Sequence, residues 1–169
     1  DAPVLEVLGR GAPLCYSASA IVGGKDDSDL AAQAEDRLAG ALRELGLKAT
    51  RAEDADVCDR ELSFSFSVDI DGPPTIYLDS LTLYSYIARE SGVTIPQARL
   101  WRDGEYGGDV RVLGRAAFTR EMHSALGDLL GGFALDYRSV RKEGSGLATG
   151  VGAGHSPATN GRRARPHGL

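Results

Sequence analysis

Residues 62–70 read Leu-Ser-Phe-Ser-Phe-Ser-Val-Asp-Ile, apolar and small polar side chains in unbroken alternation. Successive side chains of a strand point to opposite faces, so the run predicts a strand with one buried and one wet face. Phe64, Phe66, Val68 and Ile70 are expected toward a core. Ser63, Ser65, Ser67 and Asp69 are expected to face away from it. Asp71-Gly72-Pro73-Pro74 ends the run, because proline cannot donate to a ladder and fixes its own φ. Ile76–Ile87 then reads as the returning strand of an antiparallel hairpin.

The returning strand has a parity conflict. Ile76 and Leu78 share one face, while Leu81, Leu83 and Ile87 belong to the other. A bulge near Asp79-Ser80 would shift the register by one residue and bring both sets to the core. The outward face would then carry Ser63, Ser65, Ser67, Asp69, Tyr77, Asp79, Thr82, Tyr84 and Tyr86. Without a bulge, Leu81, Leu83 and Ile87 are expected to emerge on that face.

Around the hairpin the periodicity changes. Extended pieces are expected at Val4–Leu8 and Leu14–Val22. Asp27 or Ser28 can cap a helix whose Leu30, Ala34, Leu38, Ala41, Leu42 and Leu45 share one face, with Gly46 as its stop. A strand at Gln97–Arg102 precedes a turn at Asp103–Gly108, and a short extended stretch follows at Val110–Leu113. From Arg115 to Lys142, Phe118, Met122, Leu126, Leu129, Phe133, Tyr137 and Val140 recur at helical spacing, with Gly131-Gly132 marking a kink or a close packing point. The order β-α-β-β-β-α predicts an α+β two-layer sandwich, a mainly antiparallel sheet with two long helices on one face. Residues 1–142 form the expected domain. Residues 143–169 hold seven Gly and no aromatic residue, a composition that predicts a disordered tail.

Charge and cysteine usage narrow the function classes. The chain of 169 residues carries a net charge of −5. The tail holds one Glu and three Arg, so the excess of acid lies in the domain. A nucleic-acid or anionic-membrane binder would instead carry a basic stripe, and the tail arginines have no stacking aromatics beside them. No run reaches the roughly 18 consecutive apolar residues of a membrane span. The Asp-Ala-Pro start, the scarcity of lysine (Lys25, Lys48 and Lys142) and the two cysteines fit an exported protein. Cys15 and Cys58 are candidates for one disulfide, the alternative being two unrelated thiols. Closing such a loop is worth about 4 kcal/mol in the chain-entropy model, and an oxidising compartment favours the bond.

Motifs for chemistry are sparse. Of three histidines, His155 and His167 lie in the tail, and His123 sits at the edge of the second helix's apolar face, where a half-buried structural histidine is the simpler account. Gly9-Arg10-Gly11 lacks the third glycine of a dinucleotide fingerprint, and Gly24-Lys25 is followed by Asp26 where a phosphate loop needs Ser or Thr. Asp69 with Asp71, and Asp103 with Glu105 and Asp109, read as solvated turns, with weak cation binding the sharper alternative. Neither a cofactor nor a metal is expected.

Leu42-Arg43-Glu44-Leu45-Gly46-Leu47 closing a helix, the paired strands, Arg99-Leu100-Trp101 before a Gly-rich stretch, and Phe133 with Tyr137 at the end of the last helix resemble uncharacterised secreted bacterial two-layer α/β proteins. That resemblance covers roughly residues 27–140. It implies a fold and an export route and supplies no activity. The sequence therefore points to a non-catalytic binding or assembly domain of the bacterial cell envelope, periplasmic or secreted. Its contact surface would be the hairpin face, with Ser63, Ser65, Ser67, Tyr77, Tyr84 and Tyr86, or a sheet edge. The partner would be an envelope protein or a second copy. The alternative is a small acidic-site hydrolase or ligand-binding enzyme.

Overall fold

In the computed structural model, which describes residues 5, 8, 13–70, 75–88, 94–109 and 114–147, the alternating run lies on β4 (Arg60–Asp69) inside an open sheet. On one side β4 pairs in parallel with β1 (Leu14–Val22), from Leu14 opposite Arg60 to Val22 opposite Val68. On the other side it pairs antiparallel with β5 (Thr75–Ala88), which in turn pairs antiparallel with β6 (Thr94–Asp109). Two short strands, β2 (Lys25–Asp26) and β3 (Ala49–Arg51), lie against the outer edge of β1. The architecture is the expected α+β arrangement with a mixed sheet.

Parallel neighbours need a crossover, and α1 (Ser28–Glu44) supplies it between β1 and β4. The Asp27 carboxylate caps this helix by accepting the Leu30 N–H at 3.1 Å. Leu30, Ala34, Leu38 and Leu42, four residues apart, are buried against the sheet. Gly46, at φ +71°, takes the left-handed conformation that ends the helix, its N–H bonded to the Arg43 carbonyl and that of Leu47 to the Leu42 carbonyl.

The second helix, α2 (Arg115–Leu147), passes the expected end at Lys142. Its Met122, Leu126 and Phe133 are fully buried with Leu62, Phe64 and Phe66. Trp101 of β6 meets Phe133 edge-on, ring centroids 5.2 Å apart, and donates its indole N–H to Asp136 at 2.9 Å. Gly132 is a close-packing point, since a Cβ there would lie 3.2 Å from the Asp103 carboxylate.

The two helices run parallel, starting at the same end of the sheet. Arg115, at the start of α2, donates to both carboxylate oxygens of Asp27 and reaches Asp29 at 3.3 Å. One turn or two further on, Arg37 donates to the His123 carbonyl at 2.6 Å, and the His123 ring meets Gln33 at 3.2 Å. The Arg115 hydrogen bond, helped by the Leu30 N–H and opposed by burial, holds the Asp27 carboxyl below the usual carboxylate range.

Four sequence expectations change. The bulge at Asp79-Ser80 is absent: β4 and β5 keep an unbroken register from Arg60 opposite Ser85 to Asp69 opposite Ile76. Irregularities occur instead between β5 and β6, at Leu83/Tyr84 and Ser85/Tyr86. Residues directly opposite in an antiparallel pair share a face, so Tyr77, Asp79, Leu81 and Leu83 turn inward, and Ile76 and Leu78 turn outward. Ile70 lies past the end of β4, exposed and against the Gly23 turn. The expected turn at Asp103–Gly108 is strand, because Gly104 lets β6 approach β5 so closely that a Cβ would sit 2.7 Å from the Asp79 carbonyl oxygen.

Other expectations fall largely outside the described residues. Of the extended piece expected at Val4–Leu8, Leu5 and Leu8 are described, and they are not extended: the Leu8 N–H donates to the Leu5 carbonyl at 3.0 Å in a helical turn that buries both side chains in the core. Asp71–Pro74, Val110–Leu113 and residues 148–169 of the expected tail also lie outside them.

The register makes opposite demands on two adjacent residues. Tyr77 is buried between Phe66 and Phe118, with centroids 6.3 and 6.4 Å away, and Leu78 is half exposed. Tyr77→Ala is expected to cost about 3–4 kcal/mol, against under about 1 kcal/mol for Leu78→Ala, by urea unfolding. Equal costs, or the reverse order, would contradict the register. For Asp27, Asn retains the cap and loses the ion pair, so Asp27→Ala should cost about 1–2 kcal/mol and Asp27→Asn less than about 1. A depressed folded pKa stabilises above the unfolded value and loses that contribution as pH falls through the folded one. The gap between wild type and Asp27→Asn should therefore close on acidification below about pH 4, read by unfolding curves across that range.

Candidate functional site

Helices cover one face of the sheet. Among the described residues no helix or strand packs on the other face, whose composition follows from register. Reading across β1, β4 and β5, paired outward positions form the rows Cys15–Glu61–Tyr84, Ser17–Ser63–Thr82, Ser19–Ser65–Ser80 and Ile21–Ser67–Leu78. Arg99, Arg102 and Gly104 of β6 extend the first three. Beyond the last row, Asp69 pairs with Ile76.

The face is therefore graded. Its end near the start of β4 is charged and hydroxylic. Its middle is a floor of serine and glycine, with a shallow depression of about 610 Å³ bordered by Ser65, Ser67, Leu78, Ser80, Arg102 and Gly104, and by Asp79 and Asp103 of the same strands. Its far end, beside the β4–β5 connection, is apolar, with Ile21 37%, Ile76 38% and Leu78 52% exposed. Ile76 and Leu78 are adjacent on this face of β5, while Ile21 lies across Ser67 from Leu78 and Asp69 stands opposite Ile76.

The polar end is tied down. Ser17 donates to the Glu61 carboxylate and lies 3.1 Å from the Ser63 hydroxyl. Cys15 and Cys58 form the disulfide, with Cα atoms 5.8 Å apart, joining β1 to the loop before β4. The edge of β1 is closed as well. Between the stretches covered by β3 and β2, Glu35 of α1 receives the Ala18 N–H at 3.4 Å and pairs with Arg51 Nε at 3.1 Å. That carboxylate substitutes for a missing ladder partner and holds the Arg51 guanidinium above its ordinary pKa.

At the opposite edge, β6 has no strand beyond it among the described residues. Pro96, two register irregularities and the charged Arg99, Arg102 and Asp103 blunt this edge as a template for strand addition. The open face is the better-built contact surface.

Of the residues singled out in the sequence, Ser63, Ser65, Ser67 and Tyr84 come together on the open face. Tyr77 does not; it packs beneath α2 in the core. Tyr86 is on β5, and its side chain lies outside the described ones. Sequence reasoning missed the contributions of Ile76, Leu78, Ser80 and Arg102. Ser17, Ser19 and Ile21 carried a usable signal, since they alternate with Tyr16, Ala18 and Ala20 as β4 does.

The acidic residues are dispersed. Asp69 pairs with outward Ile76, whereas Asp103 pairs with inward Leu81 and lies beside Gly132 of α2. The two carboxylates are on opposite faces of the sheet, and Asp71 lies outside the described residues. His123 is held between the helices by Arg37 and Gln33. Among the described residues no group of three or more His, Cys, Asp or Glu side chains gathers to hold a metal, and no helix is long and apolar enough to cross a membrane.

No family model matches the chain, and no curated protein is similar to it. Among solved structures it is similar to the PelC dodecamer from Paraburkholderia phytofirmans, at 19% identity over 73% of this chain and 89% of that chain, with a TM-score of 0.42. It is also similar to protein XCC0632 from Xanthomonas campestris, of the family DUF330, at 13% identity over 79% of this chain and 88% of that chain, with a TM-score of 0.39. The likeness is weak, and the function proposed below takes nothing from it.

The disulfide sets the polar end of the face and can be tested directly. Protein isolated without reductant should take up no thiol-alkylating label, and after reduction it should take up label at Cys15 and Cys58, read by intact mass. Replacing both residues by Ser should lower stability by about 2–4 kcal/mol in chemical denaturation. Free thiols before reduction would contradict the bond.

Proposed function

We propose that this chain is a non-catalytic, exported binding or assembly domain that contacts a protein partner through the open sheet face. One observation carries the reading: the face opposite the helices exposes Ile76 and Leu78 side by side, with Ile21 across Ser67, next to a serine floor and charged residues. Leaving such side chains half exposed does nothing for the monomer, and covering each is worth roughly 1–2 kcal/mol. Small hydroxylic residues keep the adjoining surface low and able to hydrogen-bond, so a partner can approach the strands closely. The graded polarity gives a bound partner an orientation, its apolar part toward the β4–β5 connection and its polar part toward Glu61, Arg99 and Arg102.

The disulfide supports the export half of the proposal, because such bonds persist in oxidising compartments. The bacterial cell envelope, periplasmic or extracellular, is the setting we assign to it. The acidic-site enzyme reading gains no support from Asp69 and Asp103, which point to different sides of the sheet.

Three baits test the proposal: wild type, Leu78→Asp, and Leu135→Asp, which alters a 70% exposed leucine on α2 away from the face. Each is used for affinity capture from the envelope fraction of the producing cell, after circular dichroism confirms that the variants fold. The expected result is a species held by wild type and Leu135→Asp and lost, at least about tenfold, with Leu78→Asp, the loss of about 1.4 kcal/mol. Capture indifferent to Leu78→Asp, or no specific capture by wild type, would overturn the reading.

A further inference from the structure

We propose that the open face also mates with the same face of a second copy of this chain, around a two-fold axis parallel to the strands. The inference rests on the contact-face reading and names one partner for it.

The cross-strand rows choose the symmetry. Face-to-face sheets lie about 10 Å apart with roughly aligned strands. An axis across the strands would reverse the order of the rows and lay the apolar end of one copy on the charged end of the other. An axis along the strands, between β4 and β5, keeps each row against its own counterpart and exchanges β4 with β5. Leu78 then lies over Ser67 of the other copy, and the two Leu78 side chains meet across the axis, about one strand spacing apart. By the same operation Ile76 of each copy lies over Asp69 of the other, so the apolar centre is confined to the Leu78 pair.

The same operation matches charge. Glu61 on β4 comes to lie over Tyr84 of β5 in the other copy, one strand away from its Arg99. Two such oppositely charged approaches form per dimer, related by the axis. The face is thus self-complementary at the Leu78 pair and in the approach of Glu61 to Arg99, as an isologous interface requires. Ser63, Ser65, Ser67, Ser80 and Gly104 keep the middle of the face low, with the bulkier Tyr84, Arg99 and Arg102 toward its polar end.

Area places the contact in the transient class. Rows of four, four, four, three and two positions at about 4.8 Å between strands give at most roughly 1,000 Å² buried over both copies, Cys15 and Thr82 being already buried in the monomer. That is the range of weak specific interfaces, so the dimer is reversible.

The test uses the full chain alone, free of any other partner, by sedimentation equilibrium from about 1 to about 300 µM. Weight-average mass should rise from 17.8 kDa toward twice that value with concentration. Leu78→Asp should raise the dissociation constant at least about tenfold, whereas Leu135→Asp should leave it unchanged. Glu61→Arg should weaken association, and Glu61→Arg with Arg99→Glu should restore it. A wild type that stays monomeric throughout, or a dimer untouched by Leu78→Asp, overturns the dimer. A monomeric wild type that still captures another protein through Leu78 also overturns it, while leaving the contact-face function standing.

Discussion

The parallel pairing of β1 with β4 is the constraint on which the rest of the molecule depends. A hairpin can join antiparallel strands, but two parallel neighbours need the chain to return over one face of the sheet. The returning segment is α1, so its apolar stripe of Leu30, Leu38 and Leu42 decides which face becomes the core. After the β4–β5–β6 meander, β6 points the same way as β1, and α2 descends beside α1 in the same sense. Both helices thus cover Phe64 and Phe66, and among the described residues the connectivity brings no long element to the other side. The open face is a consequence of topology.

Much of this was legible in the sequence because burial writes a period. The alternation of β4, the four-residue spacing in α1 and the stripe of α2 were each read with nearly their observed limits. The partner of β1 was not legible, since an alternating strand shows which face is buried and says nothing of its neighbours.

The register of β5 misled for a more specific reason. Its apolar residues fall on both faces, and a bulge is the cheapest way to bury them all. The fold instead keeps every β4–β5 ladder bond, buries Tyr77 in an aromatic cluster and leaves Ile76 and Leu78 outside. Tyrosine conceals this choice, because its ring suits a core and its hydroxyl suits water. Counted as polar, Tyr77 marks the wrong face. Glycine concealed β6 in a similar way: Gly104, Gly107 and Gly108 look like a turn, yet Gly104 is where two strands come closest.

The unbroken register also explains why the candidate site is where it is. Shifting β5 by one residue would hide Ile76 and Leu78 and bring Leu81 and Leu83, now fully buried beneath the helices, to the surface. One pair of apolar residues must therefore stay outside whichever register is chosen, and the fold keeps the pair nearest the β4–β5 connection there. At the other end of the face the surface is fixed by different means, the Cys15–Cys58 bond and the Ser17–Glu61 contact. The far end instead keeps Ile76 and Leu78 side by side on β5, with Asp69 opposite Ile76. A face that topology leaves open among the described residues, and that register makes apolar at one end, is therefore the surface on which the proposed contact rests.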